Sequence, residues 1–430
     1  MLLAYILLVP LLFFAVNGYF SFEYARGGGG DVGAQWGALA SGSGDTLEHK
    51  VELACVFTVL VCLIASRWRG MLRSLPQIGV FVGLTLLALA STLWSQDPAL
   101  SLRNAIYLAF NTLFALYLVK RFNSEQQMRL FLFLGTVAGI LSILFAVLAP
   151  KYGIAHTNGV LGWQGIFIQK NSLAEVMMFL LTPAFFAKRV GEFSKYSRAA
   201  YVVMVLFLVG MSGSRTAWIA TAVLLAYVVC AKWVVKFQRK DGILLSIAFL
   251  IVGAVVVVIL TAYFSEILAL MGKDENLSGR TDIWKAVLLS IAKRPALGYG
   301  YAAFWEGFRG ESAHVILAAH WFVSYAHNGF LEVALELGLV GLGLIVWTLI
   351  RAFRDAFRLL RPHCPNDVLW YISIILLMLL YNIDEARFMF PNTIEWVMYI
   401  MASAGLWQEA RKLRDKRNEG GQPILEKSDA

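Results

Sequence analysis

The chain has 430 residues, of which 59% are hydrophobic and only 15% are charged, and its mean hydropathy is +0.67. A soluble globule needs a more polar surface than this composition supplies, so the sequence predicts a polytopic membrane protein. The formal net charge of +9 lies mainly in short loops beside apolar segments, where it indicates membrane orientation rather than binding to nucleic acid. The four cysteines lack metal-like spacing, and we expect neither disulfides nor a cysteine metal site.

Apolar segments of about 17 to 25 residues predict transmembrane helices. We expect an all-α bundle of about twelve spans that forms one membrane domain over residues 1–408, followed by a disordered cytoplasmic tail over 409–430. No small-residue cleavage site follows the first span, which is therefore interpreted as a retained helix. The predicted spans lie near residues 1–20, 50–66, 75–94, 104–119, 130–149, 171–187, 199–212, 216–231, 242–262, 328–350, 368–383 and 393–408.

Lys and Arg are concentrated in every second connection between these spans, and acidic residues are few there. Short basic loops remain in the cytoplasm, so the pattern places both termini in the cytoplasm. The other connections then face the periplasm, and the longest of them, 263–327, is longer than a simple linker needs to be. The predicted outer connections are 21–49, 95–103, 150–170, 212–215, 263–327 and 384–392.

Isolated cations and one histidine stand at the ends of apolar segments on this predicted outer face: Lys170-Asn171, Arg215, Arg280 and His327-Asn328. A terminal Arg often serves only as a snorkelling anchor, and a single His is often structural. Four such positions on one face favour a site that binds an anionic lipid head group beside a group able to take a proton. The aromatic residues Tyr299, Tyr301, Trp305 and Trp321 fit sugar stacking and an interfacial belt equally well.

Several segments carry a resemblance to a known family. They are Gly165-Ile-Phe-Ile-Gln-Lys170-Asn171, Ser212-Gly-Ser-Arg215, Gly279-Arg280-Thr-Asp-Ile-Trp284 followed by Pro295-Ala-Leu-Gly-Tyr-Gly300, His327-Asn328-Gly329-Phe-Leu-Glu332, and Glu336-Leu-Gly338. In order and spacing they resemble the bacterial O-antigen ligase and Wzy-type polymerase family, over roughly residues 90 to 400.

This resemblance implies a metal-independent, inverting glycosyltransferase of the GT-C type in the bacterial inner membrane, without a cofactor. It would move a glycan from undecaprenyl diphosphate to an acceptor sugar hydroxyl at the periplasmic face. The implied acceptor is a glycolipid, either lipid A core or a second lipid-linked repeat. The implied partners also include membrane lipid, a chain-length regulator and export proteins.

Arg suits bidentate phosphate contact, and a histidine can accept the acceptor's hydroxyl proton. We therefore assign Arg215 and Arg280 to the diphosphate and to catalysis, with Lys170 and Arg103 as further diphosphate ligands, and His327 as the general base. The supporting candidates are Asn171, Asn328, Glu332 and Glu336. The candidate acceptor contacts are Tyr299, Tyr301, Trp305, Trp321, Asp384, Glu385 and Arg387, and no metal ligands are expected.

Three alternatives remain at this stage. The form Trp163-Gln-Gly165-Ile-Phe-x-x-Lys170-Asn171 favours an exopolysaccharide or O-antigen polymerase slightly over a ligase. A flippase or transporter of lipid-linked sugars would be expected to show charged or broken helices near the bilayer midplane and repeat symmetry between the two halves, and the sequence has no clear repeat. An intramembrane serine protease would use Ser212, in Gly210-Met211-Ser212-Gly213, with His327 as its base.

Overall fold

The computed structural model describes residues 58, 61–63, 65, 75–157, 160–167, 169–188, 195–237, 280–319, 322–360 and 365–419. The predicted spans 1–20 and 242–262, most of 50–66, the loop 21–49 and the first part of the long outer loop lie outside the described residues. The number of spans therefore stays a prediction.

Helices dominate the described part of the chain. They are α1 Leu75–Ala90, continued by a 3-10 turn Ser91–Leu93; α2 Pro98–Arg121; α3 Ser124–Leu148; α4 Pro150–Gly153; α5 Lys170–Phe186; α6 Lys195–Ser212; α7 Arg215–Phe237; α8 Arg280–Lys293; α9 Ser312–Ala319; α10 Gly329–Leu359; α11 Asn366–Asp384; and α12 Ile394–Glu419. Six of them, namely α2, α3, α6, α7, α10 and α11, contain stretches long and apolar enough to cross a membrane. The prediction of a helical, multi-pass protein is confirmed at this level.

Local sequence signals explain where α2 and α3 begin. Asp97 accepts a hydrogen bond from the backbone N–H of Leu100 at 2.9 Å, directly before a proline that suits the first helical turn. Asn123 and Gln126 form a reciprocal capping box at the start of α3. Only two residues, Phe122 and Asn123, separate α2 from α3.

Three contacts join helix ends that the charge pattern assigns to the same face. At the end predicted to be cytoplasmic, the Ser124 hydroxyl donates to Asp367 at 3.1 Å and the Lys188 backbone N–H donates to Glu125 at 3.1 Å. At the end predicted to be periplasmic, the Asn328 side chain donates to the carbonyl of Ile383 at 3.1 Å. The orientation of the bundle stays a prediction.

Two features differ from the predicted all-α bundle with a disordered tail. Residues Ile154–Thr157 (β1) and Val160–Trp163 (β2) form an antiparallel hairpin within the outer connection 150–170. At the other end of the chain, α12 continues to Glu419, so residues 409–419 are helical, while 420–430 lie outside the described residues.

Helix α10 is broken at Gly338, whose φ of 66° lies in the left-handed region. The break releases backbone groups, and the segment Pro295–Gly300 satisfies them. The N–H of Leu339 donates to the carbonyl of Pro295 at 2.8 Å, and the N–H groups of Tyr299 and Gly300 donate to the carbonyls of Leu335 and Glu336. These exchanges satisfy backbone groups that a break inside this candidate membrane span would otherwise leave without partners.

Candidate functional site

Each of the three singular outer cations is the first residue of a helix. Lys170 begins α5, Arg215 begins α7 and Arg280 begins α8. The positive end of the helix dipole favours anions, so a cation at this position is electrostatically unfavourable unless an anion approaches it. The N-terminal N–H groups and the side chains of these residues together form an arrangement suited to phosphate oxygens.

The hairpin brings Lys170 and Arg215 onto the same surface. A Cβ at Gly162 in β2 would collide with the carbonyl of Ser212 and the Lys170 side chain, so the absence of a side chain permits this close approach. Lys170 lies within electrostatic range of Arg215. The tight turn before Arg215 relies on Gly213, whose φ is 66°.

Asp384, the last residue of α11, joins two of the predicted site segments. One of its carboxylate oxygens pairs with the Arg280 guanidinium, and the other accepts a hydrogen bond from the Thr216 hydroxyl, next to Arg215. Asp384 is buried, whereas the Arg280 side chain keeps 34% of its surface exposed. Arg280 is therefore held in place and is still accessible to a ligand.

Beside this pair, Glu385 joins His327 to an additional residue, Tyr325. The Tyr325 hydroxyl donates to Glu385 Oε2 at 2.8 Å, and His327 Nδ1 lies 3.8 Å from the same oxygen. The Tyr325 and His327 rings are 4.0 Å apart between centroids. His327 also has a φ of 49°, in the left-handed region that non-glycine residues rarely adopt and that is frequent at functional sites.

The protonation states of this pair follow from their surroundings. Burial lowers the pKa of His327 to about 4, and Arg280 and Arg387 oppose its protonation further, although Glu385 favours it. For Glu385, burial acts to raise the pKa, but His327, Arg387, Arg280 and the hydrogen bond from Tyr325 outweigh it and hold the pKa below its ordinary value. At neutral pH a neutral imidazole therefore faces an ionised carboxylate.

The backbone at His327 is anchored from two helices. The Trp284 indole of α8 donates to the carbonyl of Ala326 at 3.0 Å, and the N–H of Ala326 donates to Glu332 at 2.6 Å. The other oxygen of Glu332 accepts from the Trp305 indole at 2.6 Å. Glu332 thus supports His327 through the backbone, and Trp305 is a partner of Glu332 in this arrangement.

The segment after Asp384 is shaped by Asn382 and a buried ion pair. The Asn382 side-chain oxygen accepts from the N–H groups of Arg387 and Phe388, both at 2.8 Å. The Arg387 Nε donates to both carboxylate oxygens of Glu175 in α5, at 2.7 and 2.8 Å, with both side chains buried. Arg387 is therefore held by α5 and positions the loop that carries Glu385.

The aromatic residues predicted to contact the acceptor differ in their positions. Tyr299 and Tyr301 are each 1% exposed, and their hydroxyls donate to the carbonyls of Ser290 and Met389. Both are core residues with no ring face open to a sugar, which corrects their assignment as acceptor contacts. The cause is the bracing of the α10 break by the segment Pro295–Gly300. Trp321 lies outside the described residues.

The remaining candidates occupy supporting or peripheral places. Asn328 caps α10 by accepting from the N–H groups of Phe330 and Leu331. The backbone carbonyl of Glu336 accepts from Gly300, and its side chain is buried. Asn171 is half-buried in the first turn of α5, and Arg103 is half-buried in α2. Neither the Asn171 nor the Arg103 assignment is tested by these contacts.

Ser212 has no arrangement typical of a nucleophile. Its hydroxyl is buried, donates to the carbonyl of Val209 at 2.7 Å and accepts from the N–H of Ser214 at 3.1 Å. These bonds shape the turn that presents Arg215. A serine protease would instead need this hydroxyl beside a base.

Sequence reasoning missed four residues that organise the site: Glu175, Thr216, Tyr325 and Asn382. Glu175 could have been found from the sequence, since a single carboxylate inside an apolar span usually has a functional or structural role. The other three are ordinary polar residues near helix ends, and only their contacts distinguish them.

Part of the chain is similar to a known family. Residues 200–346, which include Arg215, Arg280 and His327, match the family model described as O-antigen ligase. The chain is therefore similar to O-antigen ligases over this segment. The exopolysaccharide production protein ExoQ of Rhizobium meliloti (strain 1021) is 27% identical over 315 residues, which cover 71% of each chain.

The apolar helices indicate a multi-pass membrane protein, and the similarity over residues 200–346 is to O-antigen ligases. Among the described residues, no group of three His, Cys, Asp or Glu side chains is arranged to hold a metal ion. Metal-independent transfer stays a prediction.

Proposed function

We propose that this O-antigen ligase-like protein transfers a glycan from undecaprenyl diphosphate to an acceptor sugar hydroxyl at the periplasmic face of the inner membrane. The observation that carries the proposal is the convergence on Asp384 and Glu385 of Arg280, Thr216 and His327, which come from three segments distant in sequence. They bring an anion-binding group and a proton acceptor together at one face of the helix bundle.

The donor side consists of Arg280, Arg215 and Lys170 at three helix starts. When the glycosidic bond breaks, the departing diphosphate gains negative charge. Fixed cations and helix N-termini stabilise that charge more strongly than they stabilise the bound donor, which lowers the barrier. Asp384 keeps Arg280 in position, so little reorganisation is needed during the reaction.

The acceptor side is His327 with Glu385 and Tyr325. A neutral imidazole can remove the hydroxyl proton as the acceptor oxygen attacks the anomeric carbon, and the ionised Glu385 stabilises the imidazolium that forms. Direct attack by the acceptor on the donor carbon inverts the anomeric configuration. Glu385 and Asp384 then act on the two sides of the same reaction from adjacent positions.

We favour a polymerase that joins lipid-linked repeats over a ligase that acts on lipid A core. The curated relative is named for exopolysaccharide production, and it covers 71% of this chain. This preference agrees with the sequence of the Trp163 to Asn171 segment, whose form resembles that of polymerases.

The proposal is tested with the purified full-length protein in liposomes supplied with an oligosaccharide on undecaprenyl diphosphate. Product carrying two repeats on one lipid indicates polymerase activity, and transfer to added lipid A core indicates ligase activity. Translocation of the donor without a new glycosidic bond would instead identify a flippase and overturn the proposal.

A further inference from the structure

A cleft lined by several cations lies at the predicted inner face, at the opposite end of the bundle from the proposed transfer site. It is a cleft of about 580 Å³ between the inner ends of α10 and α12. Its lining includes Arg354 and Arg358 from α10 and Trp407, Arg411, Arg414 and Lys416 from α12. This volume is within the range of small-molecule binding sites.

The charged residues that line the cleft are mostly positive. Asp355 is the one acidic residue in its lining, and this carboxylate is buried and engaged by Arg354 Nε at 3.2 Å and by Arg358 Nη1 at 3.5 Å. Arg411 also lies 3.6 Å from Asp415 on its own helix. The side chains of Arg354, Arg358 and Arg411 are 47%, 58% and 56% exposed, so their charged ends remain open to a ligand.

Membrane orientation alone does not account for this arrangement. The positive-inside tendency requires cations near the inner ends of spans but does not require that two helices distant in sequence aim them into one concavity. Trp407 adds a second element, because Arg351 and Arg411 lie 5.6 and 5.4 Å from its ring centroid. A tryptophan between arginines is typical of the level at which lipid head groups meet the hydrocarbon region.

The surface next to the cleft is apolar and exposed. On α10, Ile350 stands one turn before Arg354 and is 54% exposed, and Trp347 stands one further turn away and is 52% exposed. Residues at these spacings share one helix face. An occupant with a phosphate group in the cleft would therefore have an adjoining path for acyl chains along α10.

We propose that this cleft binds the phosphodiester head group of an anionic phospholipid, with the acyl chains along the exposed apolar face of α10. Basic pockets between transmembrane helices on the cytoplasmic side are suited to such head groups. The proposal depends on the orientation of the bundle and not on glycan transfer, so either can fail without the other.

The test measures lipid binding to the purified full-length protein in a neutral detergent by native mass spectrometry, with phosphatidylglycerol and phosphatidylcholine as probes. One variant carries Arg411→Gln, Arg414→Gln and Lys416→Gln, which leaves the pairs around Asp355 intact. The matched control carries Lys120→Gln, Arg121→Gln and Lys188→Gln at other inner helix ends, with the same loss of charge. Inorganic phosphate and glycerol phosphate serve as competing free anions.

We expect the parent and the control to retain phosphatidylglycerol in preference to phosphatidylcholine, and the cleft variant to bind it at least about tenfold more weakly. Equal weakening in both variants, equal retention of the two lipids, or displacement of phosphatidylglycerol by millimolar inorganic phosphate would each overturn the proposal.

A second measurement needs no variant. In vesicles, phosphatidylglycerol should protect Arg358 and Arg411 from phenylglyoxal several-fold more than phosphatidylcholine does. Arg129, which is 46% exposed at the same face, should gain much less protection. Equal protection of all three arginines would show general surface attraction and would also overturn the proposal.

Discussion

Asp384, the last residue of α11, pairs with Arg280, at the start of α8, and so holds one cation of the proposed diphosphate site in place. The same carboxylate holds Thr216 next to Arg215. One buried acid therefore sets the separation of two cations that the sequence places far apart.

Replacing Asp384 by Asn should lower glycan transfer by about tenfold to a hundredfold, because a small displacement of Arg280 misaligns the donor. Turnover in reconstituted liposomes measures this effect. Asp367→Asn, at the inner end of the same helix, is the matched control and should keep near-parental turnover. Equal activity in both variants would remove Asp384 from donor positioning.

Arg280→Ala should weaken donor binding by about tenfold to a hundredfold through loss of a charge-assisted phosphate contact. Arg280→Lys should recover only part of it, since lysine provides a point charge without a bidentate fork. Binding of a fluorescent polyprenyl diphosphate gives the affinity. Lys285→Ala, on an exposed position of the same helix, should bind like the parent. If Arg280→Ala also does so, Arg280 is only an anchor.

His327→Ala should slow transfer by about 10²-fold to 10⁴-fold while donor affinity stays near the parental value. Because the pKa of His327 is lowered to about 4, the parent's kcat/KM should be flat from neutral pH to about 5 and fall only as the imidazole protonates near pH 4. The residual activity of the variant should lack this fall.

His314→Ala provides the control, since His314 contacts the carbonyl of Glu311 in the outer loop, away from Glu385. A fall in the parent's kcat/KM near pH 6.5 would contradict the buried environment of His327. If the fall at low pH persists unchanged in His327→Ala, the fall is caused by another group.

Glu175→Leu should destabilise the protein by about 3 to 5 kcal/mol, because it leaves the Arg387 charge buried without its carboxylate. Arg387→Met should have a similar effect. The double variant should be less damaged than the sum of the two single changes, as expected for directly paired groups. Thermal unfolding in detergent measures all three. Strict additivity would mean that the pair does not couple α5 to the loop after α11.

Gly338→Ala should destabilise the outer half of α10, because the added Cβ meets the carbonyl of Ala296 and the positive φ disfavours any side chain. A loss of about 1 to 3 kcal/mol is expected. Gly343→Ala, five residues later with open space around it, should be neutral or slightly stabilising. Unfolding curves that rank the two variants in the opposite order would show that Pro295–Gly300 does not brace the break.

The sequence by itself determined the class of protein and the approximate positions of the described spans, and it predicted that the site residues share one face. These properties depend on local quantities, namely the length of apolar segments, the charge of short loops and the capping residues beside them. The positions of Lys170, Arg215, Arg280 and His327 at helix ends were predictable for the same reason, because each is a polar residue that interrupts an apolar pattern.

Only the tertiary structure decided which of these residues meet. The pairing of Arg280 with Asp384, the burial of Arg387 on Glu175 and the use of Glu385 by both Tyr325 and His327 depend on which helix ends approach one another. The interior position of Tyr299 and Tyr301 likewise follows from the break at Gly338, since Pro295–Gly300 packs into that break and carries its aromatic residues inward. Such contacts join residues far apart in the chain, and the hydropathy pattern of a single sequence does not predict them.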